Sequence, residues 1–130
     1  MIFIADVIRD NKKVEVTGPF EKVIKQCMPD VDPKEYVRGF FIFLNYFNIT
    51  ENSSGHAYWY CNDSGRRYVT LDFSDIYHNA LYEIASFKYF KDAGIKPQYT
   101  TIYNKTRYSL TIPVQEDWEV FLGYIKITNY

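Results

Sequence analysis

Two cysteines among 130 residues are too few to build a disulfide scaffold. A dominant charge is missing too: 15 Lys+Arg face 16 Asp+Glu, for a formal net charge of −1 and a pI near 6.1. That balance excludes a chain built to coat duplex nucleic acid, where clustered phosphate neutralisation supplies most of the affinity. It equally excludes a DNA mimic, which needs a strongly acidic face. Long apolar runs are absent, and the longest, Phe40 to Leu44, is far too short to cross a bilayer. The opening MIFIADVIRD has no basic stretch and is broken by Asp6, so no signal peptide is expected.

Catalytic motifs are scarce. The sequence contains no GxxxxGKS/T phosphate loop, no GxGxxG, no HExxH and no GxSxG elbow. A closed zinc site would need both His and both Cys, and Cys27, His56, Cys61 and His78 include no closely spaced ligand pair. No metal, no cofactor and no enzymatic activity are therefore expected. The most chemical-looking stretch is Leu71 to His78. Asp75 and His78, three apart on a helix start, could touch, and a carboxylate orienting an imidazole is half of a general-base pair. Cys61 on the preceding hairpin could complete a Cys–His–Asp trio, with Tyr77 or Tyr82 assisting. The simpler explanation puts Asp75 on the helix dipole, His78 half-exposed on the helix and Cys61 in the core.

Four sequons occur, at Asn48, Asn52, Asn62 and Asn104, but nothing directs secretion. The reading is a cytoplasmic protein with Cys27 and Cys61 as reduced, buried thiols.

What is present is a globular composition, 47% hydrophobic and 24% charged, which rules out disorder. Aromatics are in excess, with 13 Tyr, 10 Phe and 2 Trp. Charge is uneven along the chain. Residues 86–113 carry Lys88, Lys91, Lys96, Lys105 and Arg107 against Asp92 alone, whereas 51–85 hold Glu51, Asp63, Asp72, Asp75 and Glu83 against Arg66 and Arg67.

Ile2–Ile8 and Val14–Thr17 read as strands around an Asp10-Asn11-Lys12 turn. Phe20, Val23, Ile24 and Cys27 form one helical stripe after Gly18-Pro19. Asp32-Pro33-Lys34-Glu35 is a helix start with Asp32 as N-cap and Glu35 closing a capping box. Tyr36, Val37, Phe40, Phe41, Leu44 and Phe47 continue it, against the weakening influence of Gly39 and a β-leaning Phe40–Phe43. Thr50–Gly55 is a loop. His56–Cys61 and Arg67–Phe73 are strands around Asn62–Gly65. Ser74 then caps a helix expected to run to about Ala93 and stop at Gly94. Tyr99–Tyr103 and Arg107–Ile112 flank a turn at Asn104–Thr106, and Trp118, Phe121, Leu122 and Ile125 mark a last helix. Hairpin followed by helix, three times over, predicts a single α+β domain spanning 1–130, an antiparallel sheet packed under a helix layer.

The basic-aromatic hairpins are the strongest functional clue. Tyr58, Trp59 and Tyr60 face Arg66, Arg67 and Tyr68 in one; Tyr99, Tyr103 and Lys105 face Arg107 and Tyr108 in the other. The contacts are expected at Tyr58, Trp59, Tyr60, Arg66, Arg67, Tyr99, Lys105, Arg107 and Tyr108. Such residues suit a protein interface, because Tyr, Trp and Arg bury large area at low entropy cost. They also suit a stacking platform for unpaired bases, or plain cross-strand sheet stabilisation. A two-layer sheet hides only one of its faces, so some of these rings must meet solvent or a partner. The leading expectation is a non-enzymatic binding protein docking a larger protein or ribonucleoprotein, with single-stranded nucleic acid as the alternative partner, no membrane, and a monomeric or homodimeric state. The Lys-, Asn-, Ile- and Tyr-rich composition resembles what AT-rich bacterial or viral genomes encode. A compact single-domain chain with no catalytic motif resembles the small inhibitors that phages and mobile elements direct at host defence, of anti-CRISPR type. That resemblance implies action in the host cytoplasm.

Overall fold

Asp10 and Asn11 both adopt positive φ (53° and 62°), the pair of left-handed residues that a two-residue hairpin turn requires. They join β1 (Ile2–Arg9) to β2 (Lys12–Thr17). The computed structural model describes residues 1–74 and 77–129 of the chain. After β2 come α1 (Phe20–Cys27) and α2 (Pro33–Tyr46), then β3 (His56–Asn62) and β4 (Arg67–Ser74). The chain continues through α3 (His78–Ala85), α4 (Lys88–Asp92), β5 (Gln98–Ile102), β6 (Lys105–Pro113) and α5 (Trp118–Ile127). The fold is α+β.

All six strands form one sheet in the order β2-β1-β3-β4-β6-β5. Contrary to the expected all-antiparallel pairing, β1 and β3 run parallel, with Ile4 beside Tyr58 and Asp6 beside Tyr60. Parallel neighbours need a crossover connection, and α1 and α2 supply it. The other four pairings are antiparallel.

Alternation then sorts side chains by face. Phe3, Ala5 and Val7 of β1, Ala57, Trp59 and Cys61 of β3, Val69, Leu71 and Phe73 of β4, and Leu110 and Ile112 of β6 are buried under the helices. Val23, Ile24 and Cys27 complete this core from α1, as the stripe predicts. On α2 the buried set includes Phe43, and Phe41 is only half-buried. Asp32 does cap α2, its Oδ1 accepting from Lys34 N (3.0 Å) and Glu35 N (3.4 Å). Glu35 turns away to Arg38 (3.2 Å) rather than closing the capping box.

Three further expectations are corrected. Ser74 ends β4, opposite Arg107 of β6, and α3 starts only at His78, with Tyr77 at its N-cap position and no side-chain cap bond. The long helix after it is two: Ser86 Oγ donates back to Glu83 O (2.6 Å), and Phe87 turns extended (ψ 140°) so that its ring packs edge-on against Phe47. Gly94 does end α4 with a φ of 72°. The last hairpin turns at Tyr103-Asn104 (φ 51° and 62°), which lengthens β6 back to Lys105.

Cys27 and Cys61 are paired as a disulfide with their Cα atoms 5.5 Å apart, which corrects the expected reduced thiols. The last residue of the α1 stripe and the last inward residue of β3 converge there, a meeting that exists only once the crossover has formed. Both cysteines are buried, as expected.

Candidate interaction surface

The face of the sheet opposite the helices is set by the same alternation. Ile4, Asp6 and Ile8 point to it from β1, His56, Tyr58, Tyr60 and Asn62 from β3, and Tyr68, Thr70 and Asp72 from β4. All of these are half-buried by their own neighbours. Among the described residues the helices pack on the other side: α1 on β1 and β3, α3 on β6, and α2 between α1 and α5.

At the centre, Tyr60 and Tyr68 sit directly opposite across β3 and β4, their rings stacked with centroids 4.5 Å apart and planes 10° from parallel. The Arg66 guanidinium lies 5.5 Å from the Tyr68 ring centroid, a cation–π contact at the edge of the platform. One register step along, His56 stacks on Tyr58 at 5.5 Å. The Tyr58 hydroxyl is held above its ordinary pKa, first by burial and then by the Asp72 carboxylate. Asp72 itself accepts from Arg107 Nε at 3.0 Å, and Thr70 and Thr111 share a hydroxyl contact of 2.8 Å across β4 and β6.

Charges on this face are of both signs. Asp6 meets Lys13 at 3.8 Å beside Glu15, and Asp72 meets Arg107, so the tyrosines lie between ion pairs rather than in a cationic field. No family model, curated protein or solved structure matches the chain. The reading of the surface rests on its own geometry.

The sequence-predicted patch divides. Tyr58, Tyr60 and Arg107 are on the open face, and Arg66 stands at its edge. Trp59 is not: it is fully buried, packed edge-on against Phe40 and Tyr36 with ring centroids 5.0 and 6.0 Å away. Arg67 shares Trp59's face, and its Nη1 donates to the Cys27 carbonyl (3.4 Å) and lies 2.9 Å from Met28 Sδ, tying β4 to the end of α1. Tyr108 points to the helix side and stacks on His78 (5.1 Å), with Tyr99 at 6.1 Å. Tyr99 and Lys105 are exposed on the outermost hairpin. Tyr68 is read from the sequence as part of the hairpin but not among its contacts, and His56 and Asp72 are missed. Their signal was available: Val69, Leu71 and Phe73 place the odd positions of β4 in the core, so Tyr68 and Asp72 must face out.

The Cys–His–Asp trio does not assemble around Cys61, whose sulfur is bonded to Cys27. Cys61 pairs with Arg67 at one end of β4, while the Tyr108 on which His78 stacks pairs with Phe73 at the other. Six residues of strand separate those rungs by about 20 Å. Asp75 lies outside the described residues. Among the described residues, no group of three His, Cys, Asp or Glu could hold a metal ion, and no helix is long and apolar enough to cross a membrane.

Proposed function

We propose that the chain is a small non-enzymatic binding protein that docks a larger protein or ribonucleoprotein on its open sheet face. The observation that carries this reading is the central row Tyr58, Tyr60 and Tyr68: aromatic rings on the two middle strands, with no described helix over them. Tyrosines in the middle and ion pairs around them are the layout of an interface core and its polar rim. Their strands are fixed by sheet bonds on both sides, so docking would order little that is not already ordered.

The mixed charge of the face favours protein over single-stranded nucleic acid, which is bound by stacking within a cationic groove. An inhibitor of host defence, acting in the host cytoplasm, belongs to the same proposal and is drawn from the chain's small size and its lack of a catalytic motif. The Cys27–Cys61 bond pulls the other way, because cytosolic thiols are kept reduced.

The test is capture from bacterial lysate with wild-type bait and with a Tyr58→Ala/Tyr68→Ala bait. A protein retained stoichiometrically by the first and lost from the second supports docking on this face. A bait that instead binds oligo-dT with steep salt dependence moves the reading to nucleic acid.

A further inference from the structure

The sheet has two edges, and they are unlike. The β2 edge carries Lys12, Lys13 and Glu15, charges of the kind that keep an edge strand from pairing with another chain. The β5 edge, Gln98-Tyr99-Thr100-Thr101-Ile102, is exposed along its whole length and has no charge, no proline and no bulge in its one-to-one register with β6. Tyr99 and Ile102 are 69% and 59% exposed, and the adjoining Tyr103 is 94% exposed. In a two-residue hairpin the pair flanking the turn, here Ile102 and Lys105, is the hydrogen-bonded one. By alternation Thr100 and Gln98 also turn their main-chain groups to β6, and Tyr99 and Thr101 turn theirs outward. Among the described residues no backbone bond from outside the sheet reaches either.

We propose that β5 pairs with β5 of a second copy of this chain, antiparallel about a two-fold axis at Thr100. In that register Tyr99 and Thr101 of one copy exchange both main-chain bonds with Thr101 and Tyr99 of the other. Thr100 faces Thr100 as a non-hydrogen-bonded pair, and Gln98 faces Ile102. The strand's neutrality makes a second copy the fitting occupant: self-pairing opposes no like charges along the seam, with Lys96 set against Asn104 beyond it. The two-fold uses up the bare edge in both copies and leaves only the charged β2 edges, so the assembly closes as a dimer. The inference rests on the edge alone and not on the open tyrosine face.

Sedimentation of the full chain from about 1 to 100 µM tests it. The wild type is expected to pass from monomer to dimer over that range. Thr101→Pro removes an outward N–H and breaks no main-chain bond to β6, losing only the Thr101–Thr106 hydroxyl contact (3.1 Å), and Thr100→Lys sets two lysines face to face. Each is expected to raise the dissociation constant about tenfold or more. Thr100→Cys is expected to cross-link as a dimer on mild oxidation, since non-hydrogen-bonded pairs bring Cα atoms to about 4.5 Å. Should Thr101→Pro fail to fold, the exposed Thr100→Lys carries the test. A wild type that stays monomeric at about 100 µM overturns the proposal. So does a dimer that persists in Thr100→Lys, or one in which Thr100→Cys does not cross-link.

Discussion

Tyr60 and Tyr68 are cross-strand partners whose rings stack 4.5 Å apart on a sheet face that no described helix covers. An offset aromatic pair of this kind contributes about 0.5–1.5 kcal/mol to the fold. Two tyrosines held so rigidly also offer a partner a flat, pre-ordered apolar area with hydroxyls at its margin.

Tyr68→Ala should therefore separate folding from binding. Its expected cost in urea unfolding is about 1 kcal/mol, within reach of a stable domain. The far-ultraviolet circular dichroism should be unchanged, and the binding of a captured partner should weaken by about tenfold or more. Unchanged affinity would take Tyr68 out of the interface.

Trp59→Ala should behave in the opposite way. The Trp59 ring is fully buried between β3 and α2, and its removal leaves a large void beside Phe40, Tyr36 and Trp118. The expected loss is about 3–5 kcal/mol, read as a lowered urea midpoint. A stability close to wild type would contradict the inward orientation of Trp59.

The contrast between these two neighbours shows what the sequence could and could not reveal. Alternation in His56–Cys61 is plain, so two faces are legible, but Tyr-Trp-Tyr does not say which face is the core. That follows from Val69, Leu71 and Phe73 on the partner strand, and register carries it across to Trp59. Local signals are legible: the Phe20–Cys27 stripe, the Asp32 cap and the Gly94 stop rest on contacts within a turn or two of chain. The features that are not legible are those that distant chain decides. Ser74 is a good cap by type but ends a strand in register with Arg107 of β6, and the break at Ser86-Phe87 packs against Phe47 at the C-cap of α2. The parallel β1–β3 pairing and the Cys27–Cys61 bond both require the crossover to have formed.

The disulfide closes a loop between residues 34 apart in sequence, and chain entropy alone assigns it about 4 kcal/mol. Oxidised protein should show no thiol reactive with Ellman's reagent in denaturant. Reduction should lower the unfolding midpoint by an amount equivalent to about 2–4 kcal/mol. Two titratable thiols in freshly purified, unreduced protein would contradict the pairing.

Tyr36 predicts an alkaline response. Its hydroxyl donates to the Gln115 carbonyl (2.6 Å) and accepts from Trp118 Nε1 (2.9 Å), and burial pushes its pKa far above the ordinary 10.0. The folded state thus keeps a proton that the unfolded chain releases. Its contribution is complete below pH 10 and is lost as pH rises beyond that value. Tyr36→Phe should cost about 1–3 kcal/mol at neutral pH by stranding the Trp118 N–H, and should flatten the decline of stability above pH 10. An identical alkaline slope in Tyr36→Phe would assign the effect elsewhere.

The most direct test of docking on the open face is calorimetric titration of a captured protein partner against three forms of the chain. These are the wild type, Tyr58→Ala/Tyr68→Ala on the open face, and Val120→Ala on the exposed side of α5. The docking surface predicts wild-type affinity for the α5 variant and a loss of at least about a hundredfold for the tyrosine pair. Equal affinity for all three, with the tyrosine variant folded, would contradict it.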